Sequence, residues 1–118
     1  MNSVKTGKLG ENSAVKYLET NGFEVLARNY YIRGGEVDII YRDGEYTVFG
    51  EVKARSSTAY GFPAQAVTKQ KIKRICKAAK TYALKHNLMN AKLRFDVIEV
   101  YIETKEIKII KNAFLYTD

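Results

Sequence analysis

Residues 35–54 read Gly-Glu-Val-Asp-Ile-Ile-Tyr-Arg-Asp-Gly-Glu-Tyr-Thr-Val-Phe-Gly-Glu-Val-Lys-Ala. They form two apolar segments that are joined by a turn signal. The dipeptide Asp43-Gly44, flanked by β-branched and aromatic residues, is a strong signal for a two-residue hairpin. The sequence therefore predicts a short strand over residues 37–41 and a returning strand over residues 45–55. Three charged residues interrupt these strands: Asp38, Glu51 and Lys53.

Charges inside a buried strand are costly unless they are paired or bind a metal. With Asp43 and Gly44 as the two turn residues, Asp38 faces Phe49 and Glu36 faces Glu51. Side chains alternate with a period of two, so we expect four charged residues on one face of the sheet: Glu36, Asp38, Glu51 and Lys53. In this register Asp38 and Glu51 are diagonal neighbours, roughly 7–8 Å apart at the backbone, and their carboxylates can converge on one cation.

Carboxylate oxygens alone favour a hard divalent cation, Mg²⁺ or Mn²⁺. Such an ion polarises a scissile phosphate and lowers the pKa of an attacking water. Lys53 beside it can position that water or stabilise charge on the phosphoryl oxygens. These are the requirements of phosphodiester hydrolysis. The alternative from spacing alone is a surface ion pair between Glu51 and Lys53, with Asp38 hydrogen-bonded to a loop.

The rest of the chain predicts two helices and three further strands. Helices are expected over residues 4–21 and from an N-cap at Thr68 to about His86, and strands over 23–31, 93–101 and 106–110. Residues 56–66, with the only proline, are expected to form a loop. The order helix, three strands, helix, two strands is typical of an α/β or α+β domain with a central mixed five-stranded sheet flanked by helices. We expect a single domain over residues 1–118.

The charge of the chain favours polyanionic partners. Lysine and arginine number 20 against 13 acidic residues, which gives a net charge of +7. A basic balance of this size is typical of nucleic-acid binding, with ordinary solubility as the alternative. Candidate phosphate contacts lie after the second charged strand and on the second helix, where a solvated helix face is the competing interpretation: Arg55, Lys69, Lys71, Lys73 and Arg74.

The composition also bears on the compartment. No apolar run approaches the roughly 20 residues that span a bilayer, and the polar N-terminal residues lack the apolar stretch of a signal peptide. Cys76 is the only cysteine, so an internal disulfide is excluded. We therefore expect a cytoplasmic protein without a membrane partner.

The chain resembles a known family along most of its length. Residues Gly35-Glu36-Val37-Asp38-Ile39-Ile40, Phe49-Gly50-Glu51-Val52-Lys53-Ala54-Arg55 and Arg94-Phe95-Asp96-Val97 are similar to the YraN-like uncharacterised bacterial proteins. Gly7-Lys8-Leu9-Gly10-Glu11 and Arg28-Asn29-Tyr30 also fit. That family is related to the archaeal Holliday junction resolvases within the PD-(D/E)xK, or restriction-endonuclease-like, superfamily.

The resemblance implies a restriction-endonuclease-like fold and a nuclease that acts on DNA, including branched or junction DNA. It implies an active site of Asp38, Glu51 and Lys53, and adds Glu11 on the first helix as a further acidic member and metal ligand. The related resolvases act as dimers, which makes a homodimer an expectation here. The competing interpretation is a nucleic-acid-binding module that keeps the fold with little or no catalysis.

Two positions depart from the pattern of these relatives. Val37 stands where the superfamily motif has proline. Gly50 stands where the family usually has a bulky aliphatic residue, and glycine there weakens strand packing or permits a close backbone approach. Asp96 is expected to be a structural partner for an arginine.

Overall fold

The elements follow the predicted order of helix, three strands, helix and two strands. This computed structural model describes residues 3–55 and 67–118, with side chains from residue 8 onward, so the loop predicted over 56–66 lies outside the described residues. The element boundaries differ from the predicted ones by one or two residues at most. The elements are α1 (Ser3–Thr20), β1 (Glu24–Ile32), β2 (Gly35–Asp43), β3 (Tyr46–Arg55), α2 (Lys69–Lys85), β4 (Lys92–Tyr101) and β5 (Glu106–Ile110).

The five strands form one mixed sheet in the order β1-β2-β3-β4-β5. β3 and β4 pair in parallel, whereas the other neighbours are antiparallel. Parallel neighbours need a crossover connection, and the segment between β3 and β4 contains α2. The predicted α+β architecture with a central mixed sheet is therefore confirmed.

Apolar residues cover both faces of this sheet. The face toward α2 carries the cluster Val37, Ile40, Phe49, Ile75, Cys76, Ala78, Ala79, Tyr82 and Phe95. The face toward α1 carries the cluster Ala14, Leu18, Ile39, Tyr41, Val48, Ile98 and Val100. Both faces of β2 and β3 are buried, which explains why their sequences are near-continuous apolar runs and why the charges in them stand out.

The second helix begins at the predicted N-cap. Thr68 has an extended backbone, and its hydroxyl oxygen accepts a hydrogen bond from the Lys71 backbone N–H at 3.1 Å. This satisfies one of the free donors of the first turn. α2 can lie close to β2 because Gly35 has no side chain. A Cβ at this position would lie 2.6 Å from the Arg74 carbonyl oxygen. The close approach brings the first turns of α2 to the charged end of the β2–β3 hairpin.

The first helix approaches β3 through a second glycine. A Cβ on Gly10 would lie 2.9 Å from the Ala54 Cβ, so a larger residue would push α1 off the sheet. The next residue along α1 is Glu11, and this contact fixes where its side chain enters the domain. No helix in residues 3–55 and 67–118 is long and apolar enough to cross a membrane.

Candidate active site

The hairpin turn differs from the predicted one. Asp43 pairs with Tyr46, so the turn residues are Gly44 and Glu45 rather than Asp43 and Gly44. Gly44 has a φ of +59°, and a positive φ at the first central position is what a type II′ turn requires. The predicted register was therefore wrong by two residues. Because side chains alternate with a period of two, the error leaves the paired residues 39–43 and 46–50 on their predicted faces.

The corrected register moves Asp38 closer to Glu51 than predicted. The β2–β3 ladder ends at the pair Ile39 and Gly50, and Asp38 and Glu51 lie one position beyond it. At this point the strands separate, and Asp38 Oδ2 accepts a hydrogen bond from the Val52 backbone N–H at 2.8 Å. Asp38 and Glu51 are thus opposite each other rather than diagonal.

Glu51 is the most buried member of the group, with 3% of its surface exposed. Burial, together with the hydrogen-bonded and charged Asp38 carboxyl, raises the pKa of Glu51 to about 8. Two ammonium groups act in the opposite direction: Lys71 Nζ lies 3.6 Å from Glu51 Oε2 and Lys53 Nζ lies 3.9 Å from it. Glu51 therefore favours its protonated form at neutral pH unless further positive charge is added.

Glu36 has the opposite electrostatic surroundings. Arg74 NH2 lies 2.6 Å from Glu36 Oε2 and Lys71 Nζ lies 2.8 Å from Glu36 Oε1. Hydrogen bonds from Arg74 and then Lys71 lower the pKa of Glu36 to about 2. Lys71 therefore lies between the two glutamates, with its ammonium group 2.8 Å from Glu36 and 3.6 Å from Glu51.

Glu11 reaches the site from the other helix. It lines a pocket of about 250 Å³ together with Asn29, Tyr31, Asp38, Val52 and Ala54. Its Oε1 accepts hydrogen bonds from Asn29 Nδ2 at 2.8 Å and from Arg28 Nε at 3.1 Å. Glu11 thus lines the same pocket as Asp38.

The donor set fits a divalent cation held by two protein carboxylates. Within the described ranges, no three Asp, Glu, His or Cys side chains are close enough to hold one ion as a set. Mg²⁺ commonly takes only one or two carboxylates and keeps several waters. The partly buried Asp38 and the buried Glu51 match that requirement, because added positive charge would favour the ionised form of Glu51. Glu11 as a further ligand stays a prediction.

The residues predicted to contact phosphates divide into two groups. Lys71 and Arg74 are engaged by Glu36, and Arg55 Nε lies 3.5 Å from Glu99 Oε2. Lys69 and Lys73 are exposed on α2 and free of any ion pair with the described residues. The exposed pair is the better placed for a polyanion, and the role of all five residues stays a prediction.

Asp96 belongs to a separate buried network. It accepts hydrogen bonds from Arg94, from the Tyr41 hydroxyl at 2.7 Å and from the Asn112 backbone N–H at 3.0 Å. Arg94 also binds Asp43 at 2.8 Å. Asp96 is therefore an arginine partner, as expected, and it also connects β4 to Tyr41 on β2 and to the segment after β5.

Two polar residues of this region were missed by the sequence argument. Glu99 is fully buried on β4, and its Oε1 accepts a hydrogen bond from the Tyr101 hydroxyl at 3.0 Å. A glutamate inside the apolar run Val-Ile-Glu-Val was the same signal that singled out Asp38 and Glu51. Asn29 was missed because its role depends on a backbone conformation that no residue pattern reveals.

The fold and this site define a mixed α+β domain with a buried glutamate beside a partly buried aspartate where its second and third strands separate. The chain belongs to the uncharacterised protein family UPF0102, whose model matches residues 10–100. The YraN-like resemblance is thereby confirmed at the level of the family.

Similar proteins of this family come from several organisms. A UPF0102 protein of Acetivibrio thermocellus is 46% identical over 121 residues, covering 96% of this chain and 93% of the relative. One of Clostridioides difficile is 44% identical over 114 residues, covering 97% and 100%. One of Persephonella marina is 41% identical over 108 residues, covering 92% and 91%. The matches run along almost the full length of both chains, so the whole fold is shared.

Proposed function

We propose that the protein is a cytoplasmic, Mg²⁺- or Mn²⁺-dependent nuclease that hydrolyses phosphodiester bonds in DNA. The observation that carries the proposal is the buried Glu51 beside Asp38, at the point where β2 and β3 separate. A buried carboxyl group with a raised pKa, such as that of Glu51, is costly for stability, and such groups concentrate at functional sites. The family resemblance to restriction-endonuclease-like resolvases supports the same chemistry.

Each residue of the site has a role in this proposal. Asp38 and Glu51 hold the cation, and the hydrogen bond from the Val52 N–H fixes the orientation of Asp38. A divalent cation at this position supplies charge stabilisation at the phosphoryl oxygens and activation of an attacking water. Lys53, with its ammonium group 3.9 Å from Glu51, orients the attacking water or stabilises charge on the phosphate. Lys71 holds positive charge on the opposite side of Glu51 and shields it from Glu36.

The proposed substrate is DNA because a cationic surface adjoins the site. Exposed lysines recur on one face of α2 at helical spacing, namely Lys69, Lys73, Lys77 and Lys80. Contacts of this kind add affinity and salt dependence without reading the base sequence. The proposals that the substrate is branched or junction DNA and that the protein forms a homodimer rest on the resemblance to resolvases alone.

A nucleic-acid-binding module without turnover is the second candidate. It is favoured by Lys71, whose ammonium group already places positive charge 3.6 Å from Glu51. If that charge replaces a metal, the fold and the cationic helix would serve binding alone.

Cleavage of labelled junction, flap, single-stranded and duplex DNA with Mg²⁺ or Mn²⁺ separates the two candidates. Wild type should cut at least one substrate, whereas Asp38→Asn and Lys53→Ala should lose most of that activity. Glu45→Gln and Lys92→Ala are matched controls, since both side chains are exposed near the hairpin turn and pair only with each other among the described residues. Wild-type cleavage no greater than that of Asp38→Asn on every substrate contradicts the nuclease proposal. Salt-dependent DNA binding in that case would favour the binding module.

A further inference from the structure

Asn29 has a backbone conformation that is unusual for a strand residue. Its φ is +50°, in the left-handed region that L-residues other than glycine seldom adopt. Asparagine tolerates this region better than most residues because its short polar side chain can hydrogen-bond locally. Backbone conformations of this kind cluster at functional sites. The residue belongs to the segment Arg28-Asn29-Tyr30, which fits the family but has no part in the proposed chemistry so far.

The conformation of Asn29 coincides with a break in the β1–β2 ladder. Arg28 pairs with Ile39 and Tyr30 pairs with Val37, but the intervening residues Asn29 and Asp38 form no pair. The alternation of side chains between the two faces of the sheet is also interrupted at these two residues.

The burial pattern shows that interruption. Ile40 and Val37 both pack in the cluster toward α2, although they are three residues apart and strict alternation would put them on opposite faces. Their partners on β1, Ala27 and Tyr30, pack against the same cluster. In both strands, the alternation of side chains between the two sheet faces is therefore shifted by one residue at the level of Asn29 and Asp38. Asp38 is thereby released from the β1 ladder, and its carboxylate instead accepts the hydrogen bond from β3.

The side chain of Asn29 connects two further groups at the same place. Its Nδ2 donates to Glu11 Oε1 at 2.8 Å, and its Oδ1 accepts from the Tyr31 hydroxyl at 3.2 Å. Glu11, Asn29, Tyr31 and Asp38 line one pocket of about 250 Å³. The amide orientation is fixed by this pair of bonds, because only the NH₂ end can donate to a carboxylate.

We propose that Asn29 is the positioning residue of this site. Its left-handed backbone releases Asp38 from the β1–β2 ladder, and its amide holds the Glu11 carboxylate at the pocket that Asp38 lines. Glu11 then contributes to binding the divalent cation, either directly or through its water shell. The inference rests on the proposed metal site and assigns to it a residue that touches neither the cation nor the substrate.

Calorimetric titration of the full chain with Mn²⁺ tests the assignment. Asn29→Gly retains access to a positive φ and removes only the amide, so the metal-free protein should fold, which urea unfolding checks. Loss of an outer hydrogen-bond partner of a metal ligand typically weakens metal binding roughly 10- to 100-fold. We expect Asn29→Gly and Glu11→Gln each to weaken Mn²⁺ binding at least about tenfold, with the double variant little weaker than either single one.

Asn87→Gly is the matched control. Asn87 also has a positive φ, of 57°, but it lies in the turn after α2, away from the site. The Asn87→Gly variant should bind Mn²⁺ with the same affinity as wild type. Equal affinity in wild type and Asn29→Gly, or full additivity in the double variant, overturns the assignment.

Asp38→Asn distinguishes this failure from failure of the proposed function. If Asp38→Asn abolishes binding while Asn29→Gly does not weaken it, the metal site stands and the role of Asn29 is refuted. If wild type itself binds no Mn²⁺, the metal site and the assignment are both contradicted.

Discussion

Glu51 concentrates the electrostatic cost of the site in one carboxyl group. It is nearly fully buried, the neighbouring Asp38 carboxyl raises its pKa further than burial alone would, and two lysine ammonium groups only partly offset these effects. A group whose pKa is higher in the folded than in the unfolded protein binds its proton more tightly when folded. Its contribution to the free energy of unfolding therefore falls as the pH rises between the two pKa values.

For Glu51 this window lies between an ordinary value of 4.5 and about 8. In metal-free buffer, wild type should lose stability relative to Glu51→Gln as the pH rises from 5 to 8, because the glutamine variant has no proton to release. Glu36 does not interfere, since its pKa of about 2 keeps it charged throughout this range. Urea unfolding of both proteins at several pH values measures the difference. Parallel stability profiles would contradict the raised pKa of Glu51.

Tyr41 makes the buried hydrogen bond that anchors Asp96. Its hydroxyl donates to Asp96 Oδ2 at 2.7 Å, and burial raises its pKa above the ordinary value. Tyr41→Phe leaves a buried carboxylate with one donor fewer, and hydrogen bonds to charged groups are worth about 1.5–3 kcal/mol. We expect a loss of this size in urea unfolding, against less than about 0.5 kcal/mol for Tyr46→Phe at a more exposed position. Similar losses for both variants would mean that the Asp96 network is not a structural anchor.

The β2–β3 hairpin is the element that positions the acidic pair, and Gly50 determines how it packs. A Cβ on Gly50 would lie 3.2 Å from Tyr41 Cε1 and 3.3 Å from Ile98 Cδ1, so the ring and the aliphatic side chain already fill the space. The glycine that stands here in place of the family's usual bulky aliphatic residue is thus explained by packing on the sheet face toward α1. It removes no ligand from the site.

Gly50→Val should therefore overpack the cluster toward α1. The expected loss in the free energy of unfolding is about 1–3 kcal/mol, the usual cost of inserting methyl groups into a filled core. Combining it with Ile98→Val, which removes the methyl group nearest to the new side chain, should recover part of that loss. Additive losses in the double variant would show that Ile98 is not the obstruction.

The helix α2 has two electrostatic faces. Lys71 and Arg74 face Glu36, whereas Lys73 and Lys77 lie on the exposed lysine stripe. Removing Lys73 and Lys77 together should weaken DNA binding uniformly across sequences and reduce the slope of log affinity against log salt by about 1 per lysine. Binding isotherms at several salt concentrations measure the slope, with Lys105→Gln in the β4–β5 turn as a control. An unchanged slope would remove the stripe from the interface.

The elements were readable from the sequence because each is specified locally. The periodicity of α1, the Thr68 cap and the alternating strands gave their identities and order. The hairpin register was not readable, because both Asp43-Gly44 and Gly44-Glu45 satisfy the chemistry of a two-residue turn. Because the error was an even number of residues, it moved Asp38 from a position diagonal to Glu51 to a position opposite it and did not separate the two.

Other parts of the site depend on contacts between distant segments. The position of Lys71 between two glutamates follows from the close approach of α2 at Gly35, and that of Glu11 from the close approach of α1 at Gly10. The reset of alternation at Asn29 is a backbone property with no compositional signature. The periodicity of the sequence therefore cannot predict the position of Lys71, the position of Glu11 or the interrupted alternation at Asn29.

At the scale of the whole molecule, the sheet brings opposite charges to one end. The chain carries a net charge of +7, yet four acidic residues gather where β2 and β3 separate: Glu11, Glu36, Asp38 and Glu51. Each helix supplies residues to one side of this group, α1 with Glu11 and α2 with Lys71 and Arg74. A cationic protein that buries acidic side chains in its sheet has the charge distribution expected of a metal site that meets a polyanion.

The central claim is that Asp38 and Glu51 hold a divalent cation. The most direct measurement is anomalous X-ray scattering from crystals of the protein grown with Mn²⁺, compared with crystals of Asp38→Asn. We predict one strong anomalous peak within coordination distance of both carboxylates in wild type, and its loss in the variant. A wild-type map without a peak there, with Lys71 still beside Glu51, would contradict the account.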